Sequence, residues 1–301
     1  MNARGGTAGG APEEVRPQPE PARAREQRDA VRPPEPSPPE PSPPARLSLA
    51  AQPLEGAPEA VARGADEVFV AASVMKVHIL AALALRVQGA LGYRAREVTA
   101  QERAWAAAMI ERSDNTAANA LWRAAGGAAG VTAAGRLLGT ARTRAAPDGR
   151  WGLSTTTAAD QLALLRAVHG RGPRGEVLAP WARQWMRHLM GRVVPGQRWG
   201  VTSAADPGDD APGAPQGEVK NGWLPRTATG LWVISSVGRV TAAGRPWLLA
   251  VLSDGHATRQ EGVAAVERAA RAAVRGLRDR ADRGREPAAP SGGAAGPGSG
   301  E

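Results

Sequence analysis

A stretch that is apolar on most of its helical faces runs from Ser73 to about Gly89. A helix of this kind offers no face suited to water, so it is usually buried at the centre of a domain. The rest of the chain must therefore pack around it. Its first turn carries Ser73 and Lys76, whose spacing of three places both side chains on one face of the helix.

The order of strand-like and helix-like segments predicts how the chain surrounds this helix. Strand patterns precede it, a block of predicted helices follows it, and strand patterns return near the end, before a last helix that begins with a capping box at 258–261. The predicted strands are 46–50, 67–70, 217–223, 230–237 and 246–253. We therefore expect an α/β (α+β) fold. One antiparallel sheet is built from both chain ends and flanked by N- and C-terminal helices, with an all-helical subdomain of about 77–210 inserted.

Composition marks the ends of this domain. Residues 1–45 are rich in proline and carry a Glu-Pro-Ser-Pro-Pro repeat at 35–39 and 40–44, while residues 285–301 are rich in glycine, serine and proline. Segments of this composition cannot bury a core, so we expect both to be disordered. The folded domain is predicted to span 46–284.

The positions of the two lysines narrow the chemistry that the chain could perform. The chain has 38 lysines and arginines, and only Lys76 and Lys220 are lysines. A bias toward arginine explains why lysine is scarce, but not where the two are placed. Lysine can lose its proton, whereas arginine effectively cannot. A serine hydroxyl is a poor nucleophile unless a neighbouring base takes its proton, so a neutral Lys76 is a candidate base for Ser73.

Both lysines belong to short motifs built from serine, lysine, asparagine and glycine. In chain order these motifs are Ser73-x-x-Lys76, Ser113-Asp114-Asn115 and Lys220-Asn221-Gly222. Each also has a plain structural interpretation. The second is typical of a helix-capping turn, and the Asn-Gly pair of the third is typical of a hairpin turn, although the strand pattern continues on both sides of it.

Taken together and in this order, the three motifs resemble those of the serine β-lactamase and penicillin-binding protein superfamily, in particular its class A-like branch. The resemblance covers roughly residues 46–284. It implies that Ser73 attacks an acyl carbonyl to form an acyl-enzyme, and it implies roles for the remaining motif residues. Lys76 accepts the proton, Ser113 relays it, Lys220 supplies positive potential, Asn115 orients the substrate amide, Asn221 and Gly222 help bind substrate, and the N–H groups of Ser73 and Trp223 form the oxyanion hole.

Two departures from the family pattern stand out. Asn221 replaces the usual threonine or serine. Its amide can still donate to a substrate carboxylate, but it is bulkier and lacks the hydroxyl geometry, so a different substrate preference is expected. Class A β-lactamases also carry a glutamate that activates the deacylating water, in a loop before a threonine-rich helix start. The corresponding loop here, before 155–157, has Asp148 as its only acid. A Pro-Asp-Gly turn is the favoured role for Asp148 over a catalytic one, so slow deacylation is expected.

Three functions stay open at this point. The first is a serine hydrolase acylated at Ser73 by β-lactams or related amides and esters. The second is a D-alanyl-D-alanine peptidase or esterase of the same fold, since such relatives deacylate without the loop glutamate. The third is a non-catalytic penicillin-binding module, which the placement of both lysines in catalytic motifs argues against.

Other features limit which binding partners and which cellular compartment are expected. The net charge is +9, but the arginines are scattered and form no nucleic-acid motif, so we expect small-molecule substrates and no nucleic acid. The chain has no cysteine, and its four histidines lack metal-ligand spacing, so no metal or cofactor is implied. No apolar run is long enough to span a membrane, and a monomer is expected. The resemblance implies an extracytoplasmic enzyme, although 1–10 show no secretory signal pattern.

Overall fold

The computed structural model describes residues 44–55, 60–170, 172–206 and 217–283. The strands are β1 (Arg46–Pro53), β2 (Val61–Arg63), β3 (Phe69–Val70), β4 (Thr155–Thr156), β5 (Glu218–Pro225), β6 (Trp232–Ala242) and β7 (Arg245–His256). The α-helices are α1 (Met75–Val87), α2 (Ala100–Glu111), α3 (Asn115–Ala124), α4 (Gly127–Leu138), α5 (Ala158–His169), α6 (Pro180–Gly191) and α7 (Arg259–Arg283). Short 3-10 turns lie at Ala72–Val74, Trp151–Leu153, Pro195–Gln197 and Gly200–Ala204.

The main sheet is built from both ends of the described chain. Its five strands follow the order β2-β1-β7-β6-β5, and every neighbouring pair is antiparallel. The N-terminal strand β1 pairs with β7 in the centre, with Ala50 opposite Ala250. Strand β5 forms one edge of the sheet, with Asn221 opposite Ser236 on β6. The predicted α/β fold with a sheet assembled from both chain ends is therefore confirmed.

Helix α1 is the centre of the molecule. All but one of its residues are buried, which is what an apolar surface on every side requires. Buried among them are Lys76, which belongs to the candidate site, and His78, whose pKa is lowered to about 4 because burial disfavours the charged ring. The helix packs against α2, α3, α4 and α6, so the helical subdomain forms around it.

Side-chain caps begin three of the helices, and the capping box predicted at 258–261 is one of them. Thr99 and Glu102 form a reciprocal capping box at α2, and Arg96 pairs with Glu102 at 2.6 Å, which lowers the pKa of Glu102 to about 2. Thr157 accepts a hydrogen bond from the Asp160 amide at the start of α5. At α7, Thr258 and Glu261 exchange the same pair of bonds.

Several segment boundaries differ from the sequence predictions. The helix predicted to begin at Ser73 begins with a separate 3-10 turn, and α1 itself starts at Met75. The strand predicted at 67–70 is only Phe69–Val70, and it pairs with β4 in a small second sheet. Strand β2 was not predicted, because three residues with little alternation carry no strand signal.

The predicted disordered segments, 1–45 and 285–301, fall almost wholly outside the described residues, as does any helix N-terminal to β1. The domain limits of 46 and 284 stay a prediction. Among the helices that the structure describes, none is long and apolar enough to cross a membrane.

Candidate active site

The turn that carries Ser73 is held directly against the edge strand. A side-chain carbon placed on Gly222 would lie 2.8 Å from the Ser73 amide nitrogen and 2.9 Å from that of Val74, so only glycine allows this approach of β5. The preceding residue, Ala72, has a φ of 47°, which is rare for a residue other than glycine. Packing therefore holds the turn in a strained form, as is common at functional sites.

Lys76 is the second residue of the central helix α1 and is fully buried. Its Nζ donates to the Ser113 carbonyl at 2.6 Å, to Ser113 Oγ at 2.9 Å and to Asn115 Oδ1 at 2.8 Å. Burial lowers the pKa of Lys76 to about 7, and the nearby Asp114 carboxylate opposes this only in part. Three donated hydrogen bonds belong to the charged ammonium, and with a pKa of about 7 the neutral amine is also present near physiological pH. The neutral form gives up one of these bonds and gains the lone pair that a proton acceptor requires.

Ser113 connects the two lysines. Lys220 Nζ donates to Ser113 Oγ at 3.1 Å, so one hydroxyl touches both amines. Ser113 has a φ of 58°, and the next residue, Asp114, caps α3 by accepting from the Ala117 amide at 2.6 Å. The turn therefore has the predicted capping role and also belongs to the site. The Asp114 cap fixes the backbone conformation, and this conformation places the Ser113 hydroxyl between the two lysines.

Lys220 is fully buried on β5, and its second hydrogen bond goes to the Asn221 carbonyl at 2.9 Å. Burial, with the nearby Lys76 adding to it, holds the pKa of Lys220 well below its usual value. Two buried amines that share one hydroxyl cannot both stay charged at low cost. The motif lies inside strand β5, so its interpretation as a hairpin turn is wrong.

Trp151, which the sequence reasoning did not single out, covers another side of Lys76. Its ring centroid lies 4.8 Å from Lys76 Nζ, and the residue is only 8% exposed. The indole N–H donates to Asn119 Oδ1 at 2.7 Å, which fixes the ring plane. The segment is tied to the nucleophile turn because the Ala71 amide donates to the Ser154 carbonyl at 2.8 Å. A tryptophan in a loop carries no spacing signal, so nine tryptophans gave no reason to choose this one.

The side chain of Asn221 does not point to a free cleft. It is fully buried, and its amide nitrogen donates to the carbonyls of Gln197 and Trp199, both at 2.8 Å. Both N–H groups are thereby used, so the expected donation to a substrate carboxylate is not what this geometry offers. The amide instead joins β5 to the segment between two 3-10 turns.

Asp148 is placed away from the two lysines. It has a φ of 57° and is followed by Gly149 at 71°, and the Arg150 amide donates to the Pro147 carbonyl, so the Pro-Asp-Gly turn is present. Asp148 lines a cavity of about 600 Å³ whose lining includes neither Ser73 nor Lys76. The geometry therefore favours the turn role, and Asp148 is a poor replacement for the missing base.

The remaining predicted residues lie around this centre. Asn115 is solvent-exposed while its Oδ1 accepts from Lys76, and Trp223 is half-buried beside Gly222 on β5. Within the described ranges, no group of three or more histidine, aspartate or glutamate side chains is arranged to hold a metal ion. The described side chains thus bring together two buried amines and a bridging hydroxyl, close in the fold to the turn that carries Ser73.

Comparisons with known proteins agree with this geometry. A model of the beta-lactamase enzyme family matches residues 86–277, which is more than half of the chain. The match contains the Ser113 and Lys220 motifs and begins after Lys76, so it does not include the Ser73-x-x-Lys76 motif. No curated protein sequence matches the chain.

Solved structures share the fold at low identity. A leucine-to-glutamate variant of PBP-A, in its acyl-enzyme complex with penicillin G, has 21% identity and a TM-score of 0.62 over 78% of this chain and 91% of that one. A β-lactamase from Burkholderia vietnamiensis has 23% identity and a TM-score of 0.60, covering 79% and 92%. A variant of the last common ancestor of Gram-negative bacteria class A β-lactamase has 26% identity and a TM-score of 0.59, covering 78% and 94%. With the family match, these likenesses lead to one conclusion: the chain belongs to the beta-lactamase enzyme family.

Proposed function

We propose that this protein is a serine hydrolase in which Ser73 is acylated by β-lactams or related amides and esters, and from which the acyl group is released slowly. The observation that carries the proposal is the buried pair of lysines bridged by Ser113 Oγ, at 2.9 Å from Lys76 and 3.1 Å from Lys220. An acyl transfer needs a base for the nucleophile and a path for a proton to the leaving group. We infer that Lys76, three residues after Ser73, is the base, and that Ser113 carries the proton onward.

Acylation follows from the protonation state of Lys76. An amine whose pKa is about 7 is neutral in roughly half of the molecules at neutral pH and can accept the Ser73 proton. The proton then passes through Ser113 to the departing nitrogen or oxygen of the substrate. The amides of Ser73 and Trp223 are the donors proposed for the oxyanion hole, on a turn and a strand that Gly222 holds in contact.

Slow release of the acyl group is inferred from the aromatic ring that lies beside Lys76. Hydrolysis of the acyl-enzyme needs a water and a base close to the ester. The indole of Trp151 occupies the space next to Lys76 Nζ, and it is an apolar surface with no acceptor for a water proton. Asp148 lies in a separate turn. A missing general base typically slows such a step by about 10²–10⁴-fold.

A D-alanyl-D-alanine peptidase or esterase is the second candidate. It is favoured by the indole beside Lys76, which supplies no base, because relatives with that activity release the acyl group without a loop glutamate. Steady turnover of a peptide ending in D-Ala-D-Ala, together with stalled nitrocefin, supports this candidate. The reverse pattern supports a β-lactamase.

Mass spectrometry after incubation with penicillin G tests the proposal. We expect the mass of the intact protein to rise by that of one penicillin G, and peptide mapping to place the adduct on Ser73. The matched control is Ser73→Ala, which should stay unmodified. No adduct on Ser73, with no turnover of reporter β-lactams or esters, would overturn the proposal and favour a non-catalytic binding module.

A further inference from the structure

A second pair of buried titratable groups lies outside the three motifs. His169 is the last residue of helix α5 and Glu218 is the first residue of strand β5, and each is less than a tenth exposed. His169 Nε2 contacts Glu218 Oε2, and His169 Nδ1 lies 2.9 Å from the Leu165 carbonyl oxygen. The proposed mechanism uses neither side chain, so their burial needs a reason of its own.

The contacts of this pair require one more proton than a neutral imidazole carries. A carbonyl oxygen can only accept, so Nδ1 must hold a hydrogen to bond with Leu165. That hydrogen is the only one on a neutral ring, and Nε2 would then face the Glu218 carboxylate with a lone pair. A second hydrogen must therefore lie between Nε2 and Oε2, on either atom. The folded pair thus shares one buried proton and has no net charge.

The pair lies at the start of the strand that carries Lys220. Glu218 and Lys220 are two residues apart on β5, so their side chains project from the same face of the strand. Strand β5 is at the edge of the sheet, between β6 and the turn that carries Ser73. Helix α5 packs on β1, β6 and β7, and His169 extends this packing to β5. The pair therefore fixes the part of the edge strand from which Lys220 reaches Ser113 Oγ at 3.1 Å.

Cationic groups surround the pair on several elements. Arginine keeps its charge at every working pH, whereas burial holds the pKa of Lys220 well below its usual value. A pair without net charge leaves this surrounding unchanged. The charged groups are Arg183, which donates to the Gly170 carbonyl at 3.0 Å and lies 3.9 Å from Glu176, Arg198, which donates to the Gly217 carbonyl at 3.3 Å, Arg239, which is opposite Glu218 on β6, and Lys220.

We propose that His169 and Glu218 are positioning residues for Lys220, and that the proton they share holds β5 in the arrangement in which Ser73 is acylated. Loss of this proton leaves a carboxylate against a ring lone pair, so the pair stabilises the fold less as the pH rises. The shared proton is independent of the proposed function, whereas the effect on acylation rests on it.

Urea unfolding at two pH values tests the shared proton. In the unfolded chain a histidine is mostly neutral and a glutamate is ionised above about pH 7, so unfolding releases the proton. We expect the pair to raise the unfolding constant about tenfold between pH 7.5 and pH 8.5. In Glu218→Gln the amide can donate to Nε2, which keeps a bond and zero net charge without the extra proton, so this rise should be lost. His188→Gln, a matched change at an exposed histidine on α6, should retain it.

Acylation by penicillin G, followed by the intact mass of the protein, tests the positioning role. His169→Leu removes the partner of a buried carboxylate, and we expect acylation to slow about 10- to 100-fold, since a shift of about 1 Å in a catalytic group can cost about 10²-fold. Glu218→Gln keeps a hydrogen bond and should stay within about threefold of the unchanged protein. Equal slowing in the two variants overturns the positioning role.

The urea measurements decide the inference even where His169→Leu does not fold. A ratio of unfolding constants between the unchanged protein and Glu218→Gln that is the same at both pH values overturns the shared proton. If penicillin G does not acylate the unchanged protein, the proposed function fails and the positioning role fails with it. A tenfold change in the ratio would in that case still establish the proton, so the two failures are distinguishable.

Discussion

The two sides of Lys76 differ sharply in chemistry. On one side lie Ser113 and Asn115, whose oxygens accept three hydrogen bonds from Nζ at 2.6–2.9 Å. On the other side lies the ring of Trp151, 4.8 Å away, held by Asn119. The polar side suits the transfer of a proton away from Ser73. The indole offers no acceptor for a water proton, so we expect this lysine to serve the first half of an acyl-transfer cycle and not the second.

Removing the proton acceptor from the polar side should have the largest effect. We expect Lys76→Arg to slow acylation by about 10⁴-fold, because arginine keeps the positive charge but cannot accept a proton. Lys76→Met, which removes charge and base together, should be equally inactive. The rate of adduct formation with penicillin G is the measurement, and thermal unfolding is the control for a disturbed core. Acylation retained in Lys76→Arg would show that charge, rather than proton transfer, is what the site needs.

Placing a carboxylate at position 151 should speed the release of the acyl group. We expect Trp151→Glu to speed loss of the acyl group by about 100-fold, because the carboxylate would lie where the indole now covers Lys76. Trp151→Gln is the matched control, because glutamine has nearly the size of glutamate but no base. Any faster release in this variant would come from water entering the space left by the indole, so it should stay well below the rate of Trp151→Glu. Decay of the adduct after removal of free penicillin G is the measurement. Equal rates for the two variants would contradict a missing base as the cause of slow release.

A substitution at Gly222 should displace the turn that carries Ser73. An added methyl group in Gly222→Ala would meet the Ser73 amide nitrogen at 2.8 Å, so the strand or the turn must move. We expect acylation to fall about 10- to 100-fold, with a loss of about 1–3 kcal/mol in the free energy of unfolding. Gly276→Ala is the control, since nothing lies within 4 Å of its added carbon and alanine favours the helix. Unchanged acylation in Gly222→Ala would mean that the turn is not positioned by β5.

The smallest of these effects is in the pH profile. The pKa of Lys76 is lowered to about 7, so its neutral form is lost as the pH falls through this value. We expect acylation to reach a plateau above pH 8 and to be about fourfold slower at pH 6.5. The carboxylate-free methyl ester of penicillin G is a suitable probe, because it carries no titrating group of its own. A profile that is flat from pH 6 to pH 9 would contradict a neutral Lys76 as the base.

Much of the fold was predictable because local signals agreed with the global arrangement. The capping boxes at Thr99 and Thr258, the all-round apolar surface of α1 and the three consecutive strands each specify an element without help from distant residues. The three motifs likewise carry their own chemistry. The three motifs come together near Ser113 because the chain folds around a sheet built from both of its ends. The order of the strand and helix segments indicated such a sheet.

Other parts depend on contacts that a sequence pattern does not carry. Trp151 lies beside Lys76 in a loop that the Ala71–Ser154 hydrogen bond joins to the Ser73 turn and that the Trp151–Asn119 hydrogen bond joins to α3. The role of Asn221 depends on where the carbonyls of Gln197 and Trp199 lie, and those follow from 3-10 turns in a segment that reads as a loop. In each case a distant backbone group decides what the side chain does.

The time course of a single acylation tests the contrast between the two sides most directly. The unchanged protein is mixed with a slight excess of penicillin G, and its intact mass is followed from seconds to hours. The account predicts that nearly every molecule gains one adduct on Ser73, and that the adduct persists long after its formation is complete. Rapid consumption of penicillin G without an accumulated adduct would contradict it, because the release step would then be faster than acylation.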